Sequence, residues 1–243
     1  MNPNIPRMLG RTASPFDNRT LNLRRYTTAK VADPPVDRLW QQPVNDWGVM
    51  GNDRHGNCTT VTAAHIILAW RANELNDTKR ISDNAVIELA REIGGLNGFS
   101  ILERLRLWRK RQFWATALWA FVDVNPQDQR EVAIAINSFG AADVGVNLPN
   151  AWRSADVWDT GEGAAYRPGS WGSHSVPLVG YNANYVYAVT WGEVVAMTWA
   201  AVERYCDEAY ALLSPDWLAQ DSASPSGFDL CQLHADLHAI DDA

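Results

Sequence analysis

The chain has 243 residues, of which 47% are hydrophobic and 20% charged, so it is globular and long enough for one large core or two small lobes. Its formal net charge of −7 argues against bulk nucleic-acid binding. No stretch approaches the roughly 20 apolar residues that a membrane-spanning helix needs, so we expect neither a nucleic-acid nor a membrane partner.

Residues 1–38 are predicted to form an extended N-terminal arm. They are polar and proline-rich, and a segment of this kind cannot bury enough apolar surface to fold alone. The arm carries seven Lys or Arg and three Asp, a net charge of +4, which leaves −11 for the remaining residues. A basic arm on an acidic body is typical of a segment that contacts an acidic surface, including one on another copy of the same protein.

Residues 39–119 are predicted to form a helical lobe. Its strongest helix spans 58–75, where Val61, His65, Ile66, Ala69 and Trp70 fall on one stripe at a spacing of 3.6 residues. We expect His65 to be a core histidine of that stripe. Two further helices are predicted over 82–93 and 100–111, with Ser82 and Asp83 as capping candidates of the first.

Residues 120–218 are predicted to form a β lobe, and 219–243 a linker followed by a C-terminal amphipathic helix. A run of helices followed by a run of strands predicts an α+β fold rather than alternating α/β units. The predicted strands of this lobe are 120–124, 142–148, 175–180, 185–190, 193–198 and 209–213, and its predicted helices are 126–139 and 200–206.

Three cysteines, Cys58, Cys206 and Cys231, cannot all pair, so no disulfide framework is implied, and a reducing compartment fits this composition. Met1 to Asn4 has neither the basic nor the apolar region of a secretory signal peptide, so we expect none. The protein is then expected to act where it is made or inside a particle assembled there.

Cys58 and His174 are the candidate catalytic pair. Cys58 directly precedes the strongest predicted helix, and the positive end of a helix lowers the pKa of a thiol, as does a nearby imidazolium. His174 lies 116 residues later, and catalytic Cys and His residues are neighbours in space rather than in sequence. A thiol that shares its proton with an imidazole is a nucleophile.

Four local patterns resemble the papain-like cysteine peptidases over residues 45–213. Gly56-Asn57-Cys58 leads into a long helix, as the Gly-x-Cys of that family does, and Asn52 stands where the family has the Gln of its oxyanion hole. His174 to Tyr181 resembles the family's His-Ala-Val-x-x-Val-Gly-Tyr strand, and Tyr185 to Gly192 resembles the next strand, which ends in Asn-Ser-Trp-Gly. The resemblance implies a papain-like two-lobed α+β fold, with the Cys58 helix crossing the cleft between a helical lobe and an antiparallel β lobe.

The resemblance implies that Cys58 attacks a carbonyl, that His174 carries the proton, and that Asn52 and the Cys58 backbone N–H stabilise the oxyanion. Two departures bear on proteolysis rather than on the fold. The Asn that orients the histidine is missing, and Val189 or Thr190 stands in its place, of which only Thr190 could accept a bond from the imidazole. The 38-residue arm is also too short to be a long inhibitory prosegment.

Three longer stretches are similar to proteins of tailed bacteriophages and prophages. Gly51–Cys58 fits Gly-Asn-Asp-x-x-Gly-Asp/Asn-Cys, Gly169–Tyr181 fits Gly-Ser-Trp-Gly-x-His-x-Val-Pro-x-Val-Gly-Tyr, and Ser224–Leu230 fits Ser-Pro-x-Gly-Phe-Asp-Leu. This similarity implies a phage origin, and with it a location in the virion or the host cytoplasm, but it brings no settled activity.

These observations leave two leading hypotheses. The first is a phage-encoded papain-like cysteine hydrolase, a peptidase or amidase or a descendant of one, which acts on a peptide substrate and needs no cofactor and no metal. The second is a non-catalytic virion protein that reuses the fold for capsid or tail decoration and contacts capsid or tail proteins through the arm. A peptidoglycan-cleaving Cys/His amidase ranks last, because those enzymes usually place the histidine much closer to the cysteine.

Overall fold

The computed structural model describes residues 6–27, 33–218 and 228–241. The helices follow the predicted order. The three helices of the helical lobe come first, and two more lie between strands of the sheet. The α-helices are α1 (Cys58–Glu74), α2 (Asp83–Glu92), α3 (Ile101–Lys110), α4 (Gln129–Phe139), α5 (Trp199–Tyr205), α6 (Pro215–Leu218) and α7 (Leu230–Asp241).

One mixed, mostly antiparallel sheet joins the strands of the described residues. The strands are β1 (Arg38–Leu39), β2 (Ala120–Asp123), β3 (Ala142–Leu148), β4 (Val157–Trp158), β5 (Gly172–Tyr181), β6 (Tyr185–Thr190), β7 (Glu193–Thr198) and β8 (Cys206–Leu213). Their order is β2-β8-β3-β5-β6-β7-β4, and β1 pairs with β5 beside this path. All pairs are antiparallel except that of β4 with β7.

Local capping explains where several helices begin and end. The side chains of Ser82 and Ser100 accept hydrogen bonds from backbone N–H groups in the first turns of α2 and α3. Asp128 does the same for α4, which therefore starts at Gln129 and not at residue 126 as predicted. Gly140 ends α4 in the left-handed conformation, with φ of 76°.

The sheet separates two hydrophobic cores, because side chains alternate between its faces along each strand. On β5, Leu178 packs into the core that contains α4, whereas its neighbour Val179 packs into the core that contains α1. Fourteen of the 17 residues of α1 are buried, so this helix is enclosed on nearly all sides and not along one stripe alone. The first turn of α1 thus lies at the junction of the two lobes, where Cys58 is found.

Residues 6–27 of the arm are packed against the rest of their own chain. Leu23 and Tyr26 are fully buried in the core of the β lobe, and the Tyr26 hydroxyl donates to Asp236 of α7 at 2.7 Å. Arg24 reaches Glu131 and Asp128 at the start of α4. The basic arm therefore meets acidic groups of this same chain.

Candidate functional site

Cys58 is the first residue of α1, and its side chain is buried with 1% exposure. The turn before it is held by Asn57, whose amide donates to the Met50 carbonyl at 3.1 Å. Asn57 has no exposed surface, so this bond is made away from water. The loop that precedes Cys58 is consequently fixed by buried hydrogen bonds as well as by the helix that follows.

The amide of Asn52 is turned into this same loop. Its Nδ2 atom donates to the His55 carbonyl at 3.0 Å and approaches Asn57 Oδ1 at 3.4 Å. Asn52 is 2% exposed, so its amide hydrogens are committed to acceptors within the loop. An oxyanion donor needs a hydrogen free to point at the reacting carbonyl oxygen. The structure therefore places Asn52 beside the cleft without presenting a free N–H in it.

His174 lies on β5 with its imidazole buried between β6 and the loop after it. Its Nε2 atom is 2.8 Å from Thr190 Oγ1, and the ring stacks on Trp191 with a centroid separation of 4.5 Å and an interplanar angle of 11°. These two neighbours fix the plane of the imidazole. The other ring nitrogen, Nδ1, is buried and has no hydrogen-bond partner, so it is not bonded to the Cys58 thiol.

Cys58 nevertheless lies beside β5, the strand that carries His174. The backbone N–H of Ser175, the residue after His174, acts on the Cys58 thiol and lowers its pKa, and the charge of Arg11 lowers the pKa of both Cys58 and His174. Residues 116 positions apart in sequence are thus brought to the same junction by α1 and β5. Among the four residues predicted to form the site, Cys58, His174 and Thr190 are gathered here, and Asn52 lies in the adjoining loop.

The arm crosses this junction as an extended segment. The Met8 N–H donates to the Asn52 carbonyl at 3.0 Å, the Phe99 N–H donates to the Gly10 carbonyl at 2.8 Å, and the Thr12 N–H donates to the Phe99 carbonyl at 3.1 Å. The backbone N–H of Gly10 also acts on the Cys58 thiol and lowers its pKa. Residues 8–12 therefore cover the thiol, and what they present to it is an N–H rather than a carbonyl placed for attack.

Burial under the arm sets the protonation of both groups. Desolvation raises the pKa of the Cys58 thiol to about 11, against the lowering effect of the N–H groups of Ser175, Gly10 and Thr59. Desolvation, helped by the charge of Arg11, lowers the pKa of His174 to about 3. The lowered thiol pKa expected from the helix N-terminus is thus wrong for this state of the chain, in which both groups are neutral at pH 7.

The site that holds Arg11 is not evident from the sequence, and the Arg11 side chain in it is only 3% exposed. Its guanidinium contacts Glu208 at 2.5 Å and Asp207 at 2.9 Å, and it also reaches Asn147 Oδ1 and Ser173 Oγ. The signals present in the sequence were the basic arm and the acidic pair at the start of β8. Neither signal says which arginine of the arm meets which acids.

Within the described residues, no three His, Cys, Asp or Glu side chains cluster as ligands for a metal ion. No helix in the same part of the chain has the length and apolar character to cross a bilayer. Cys58, Cys206 and Cys231 are all free thiols. The side chains of Cys58, His174 and Thr190 bring a thiol, an imidazole and a hydroxyl to this site.

No protein-family model matches the chain, and no curated protein matches it in sequence. Solved structures of cysteine proteases do match its fold. Xylellain, a cysteine protease from Xylella fastidiosa, aligns with a TM-score of 0.63 at 15% identity, over 84% of this chain and 95% of that one. The proform of the Amb a 11 cysteine protease, a ragweed pollen allergen, gives 0.58 at 15% identity over 76% and 68%. The Carica candamarcensis cysteine protease CMS1MS2 gives 0.51 at 15% identity over 73% and 98%.

At these identities the likeness concerns the fold. The helices of the first half, the mostly antiparallel sheet of the second half and the alignment with three cysteine proteases show that the chain has a papain-like α+β fold. The fold predicted from the sequence is thereby confirmed.

Proposed function

We propose that the protein is a papain-fold thiol hydrolase of peptide or other amide bonds, and that its own arm holds it inactive in the state described above. The observation that carries this proposal is that Cys58, at the start of α1, lies beside the backbone of Ser175, and that the preceding residue of β5, His174, has the Thr190 hydroxyl on its Nε2. This arrangement leaves Nδ1 of His174 as the ring nitrogen available to a thiol.

In the proposed reaction the arm has left the cleft, and water reaches both groups. His174 takes the thiol proton, and the Cys58 sulfur forms a bond to the carbonyl carbon while the carbonyl π electrons move to oxygen. The tetrahedral intermediate collapses, the C–N bond breaks, and His174 returns the proton to the leaving amine. Water then hydrolyses the thioester and restores the Cys58 thiol. The Cys58 backbone N–H is the nearest oxyanion donor, and Asn52 joins it only by exchanging its bonds to the loop.

Thr190 takes the part of the orienting group in this proposal. Its hydroxyl is 2.8 Å from His174 Nε2, and the ring of Trp191 covers the imidazole from one face. A hydroxyl that accepts from Nε2–H fixes the tautomer in which Nδ1 carries the lone pair, which is the form needed to take a proton from Cys58. Thr190 is therefore proposed as a positioning residue rather than as a group that touches substrate.

We also propose a phage or prophage origin and a place in the virion or the host cytoplasm. The support for this is the sequence itself, in the stretches Gly51–Cys58, Gly169–Tyr181 and Ser224–Leu230 described above. Capsid or tail proteins as partners of the arm belong to the same proposal. Copy number in purified virions separates the cases, because hundreds of copies indicate an architectural protein, a handful an enzyme or tail part, and none a protein of the infected cell.

A non-catalytic virion protein that reuses the fold is the second candidate, and one observation favours it. The ion pairs of Arg11 with Glu208 and Asp207, one buried and one half-buried, anchor the arm over Cys58. These contacts stabilise the closed state. In that case the thiol is a core residue and the arm is part of the scaffold. The two candidates differ in whether the folded chain cleaves an amide bond once Cys58 is exposed.

The deciding experiment compares three full-length chains: wild type, Gly10→Ala to loosen the arm, and Gly10→Ala with Cys58→Ser. Each is incubated with a fluorescence-quenched peptide library, and cleavage is followed by mass spectrometry. Cleavage by Gly10→Ala that is lost with Cys58→Ser supports the hydrolase. No cleavage by Gly10→Ala, although iodoacetamide labels its Cys58 in the folded state, rejects it and favours the structural role.

A further inference from the structure

Three consecutive residues of the arm, Leu9, Gly10 and Arg11, each fit a feature of the surface on which the arm lies. Leu9 packs against Gly172, where a β-carbon would come within 2.6 Å of Leu9 Cδ1. Gly10 lies against the backbone of Gly56 next to the thiol. Arg11 enters the acidic site described above. A surface that accommodates an apolar residue, a glycine and an arginine in consecutive order has the properties of a peptide-binding groove.

The arginine site is built by a strand irregularity. Where β3 pairs with β8, Gly145 is opposite Glu208 but Val146 is opposite Cys206, so Asp207 is an extra residue in a β-bulge. A bulge re-aims the side chains beside it, and here the carboxylates of Asp207 and Glu208 both reach the guanidinium of Arg11. Two adjacent residues of a regular strand would point to opposite faces.

The opposite wall of the site is shaped for a flat guanidinium. A β-carbon on Gly145 would lie 2.4 Å from Arg11 Nη1 and 2.7 Å from Glu208 Cγ, so only glycine leaves room there. Asn147 Oδ1 accepts from Arg11 Nη2 at 3.2 Å, while its Nδ2 donates to Asp207 at 2.9 Å. The polar groups that line the site are thus already oriented by one another, which lowers the entropy lost when a guanidinium binds.

The charge balance favours a ligand that can be exchanged. Two carboxylates face one guanidinium, so an empty site carries two negative charges and attracts a cation. Asp207 is 47% exposed, so the site opens to solvent on that side. An arginine delivered on a separate peptide therefore has a route in.

We propose that the seat of Leu9, Gly10 and Arg11 is a peptide-recognition site for an extended segment in which an apolar residue and a glycine precede an arginine. The arm is its resident ligand, and a peptide of the same chemistry replaces it. If the recognised segment is a substrate, this proposal rests on the proposed hydrolase function. Binding of the segment does not depend on that function.

The test uses the full-length chain with Arg11→Ala, which empties the acidic site, and a fluorescein-labelled probe peptide of sequence Arg-Met-Leu-Gly-Arg-Thr. Binding is measured by fluorescence anisotropy, and folding by circular dichroism. A second variant, Arg11→Gln, keeps a polar side chain without the charge and serves where Arg11→Ala does not fold. The matched control is Arg19→Ala, because the Arg19 side chain is 63% exposed and lies outside the groove.

We expect the probe to bind both Arg11 variants and to bind Arg19→Ala far more weakly, because the intact arm competes at high effective concentration. Replacing the second arginine of the probe by citrulline, its neutral isostere, is expected to weaken binding at least about tenfold, and Glu208→Gln in the Arg11→Ala chain is expected to act alike. Equal binding of the arginine and citrulline probes, or no binding by a folded Arg11 variant, overturns the proposal.

Cleavage is measured in the same samples so that the two proposals fail separately. Tight, arginine-dependent binding without cleavage of any peptide supports the recognition site and counts against the hydrolase. Cleavage of peptides with no preference for glycine and arginine, together with equal binding of the arginine and citrulline probes, supports the hydrolase and overturns the recognition site.

Discussion

Gly10 lies so close to Gly56 that a β-carbon on Gly10 would stand 1.8 Å from the Gly56 carbonyl oxygen. The atoms that it would meet belong to the backbone, which cannot rotate away as a flexible side chain can. The Gly10 N–H also lies near enough to the Cys58 thiol to lower its pKa. Closure of the cleft over the thiol thus depends on one residue having no side chain.

Gly10→Ala is therefore expected to lift the arm from Cys58 without unfolding the body. The clash forces the segment away from Gly56, and the thiol becomes accessible to water and small reagents. We expect iodoacetamide to label Cys58 at least about tenfold faster than in the wild-type chain, which corresponds to about 1.4 kcal/mol less protection. Peptide mapping by mass spectrometry measures the rate at Cys58 alone.

The matched control is Gly95→Ala, because a β-carbon there meets Phe99 at 3.4 Å, an ordinary contact. It is expected to leave the labelling rate at Cys58 unchanged. Equal labelling of Cys58 in the wild type and in a folded Gly10→Ala chain would show that the arm does not shield the thiol.

The pH dependence of labelling should report the burial of Cys58 directly. With its pKa raised to about 11 by burial, the wild-type thiol is expected to react appreciably only well above pH 9. In Gly10→Ala the midpoint is expected to fall, because water again solvates the thiolate. Cys231 is exposed and Cys206 is buried, with a pKa raised by burial to about 12, so the chain carries its own fast and slow references. A wild-type midpoint near 8.5 would contradict the buried state.

Much of the fold was predictable because local patterns decide it. The predicted strands 185–190 and 193–198 have the same bounds as β6 and β7, Tyr185–Thr190 and Glu193–Thr198. The course of the arm was not predictable, because it depends on contacts between Arg11 and Asp207, which are separated by 196 residues. The hydrogen bond from the Asn52 amide to the His55 carbonyl was likewise not predictable, because it depends on the folded turn and not on the number of residues between Asn52 and Cys58.

Stability in acid is expected to fall as the two buried histidines take up protons on unfolding. Burial lowers the pKa of His65 to about 4 and that of His174 to about 3, whereas an unfolded histidine titrates near 6.5. Below about pH 6.5 the unfolded histidines bind protons that the folded histidines do not. The free energy of unfolding therefore falls as the pH is lowered from about 6.5 toward the folded-state pKa values. Each histidine contributes a slope of up to about 1.4 kcal/mol per pH unit to the free energy of unfolding.

Urea unfolding of His174→Gln between pH 6.5 and 4 checks this assignment. The free energy of unfolding of the variant is expected to change less steeply with pH than that of the wild type, by the equivalent of about one proton taken up on unfolding. His234→Gln serves as the control, since His234 is on the surface of α7. An unchanged slope in His174→Gln would mean that His174 is already protonated, or exposed, in the folded chain.

Thr190→Val is expected to destabilise the chain by removing the hydroxyl that His174 Nε2 meets at 2.8 Å. The imidazole is left with a buried, unpaired N–H, which costs about 1–3 kcal/mol of the free energy of unfolding. Thr190→Ser keeps the hydroxyl and is expected to retain most of that energy. The control is Thr60→Val, because the buried Thr60 hydroxyl has no hydrogen-bond partner, so its loss is expected to be neutral or stabilising. Equal effects of the two Thr→Val changes would show that the contact contributes nothing.

The buried ion pair between Arg104 of α3 and Asp143 of β3 is expected to behave as a unit. Both side chains have no exposure, and the pair joins the helical lobe to the sheet beside Ser175, whose hydroxyl also approaches Asp143 at 3.4 Å. Arg104→Met leaves the Asp143 carboxylate without its cation in the interior, which is expected to cost about 3–5 kcal/mol of unfolding free energy.

Replacing both partners, Arg104→Met with Asp143→Leu, is expected to restore most of that loss, because apolar side chains of similar volume need no counter-charge. Chemical denaturation of the two single variants and the double variant forms a double-mutant cycle, with the exposed Arg91→Ala as the surface control. Strictly additive losses in the cycle would mean that the two charges do not stabilise each other. A large coupling would show that the junction of the lobes, where Cys58 and His174 lie, is held by an ion pair that neither lobe can satisfy alone.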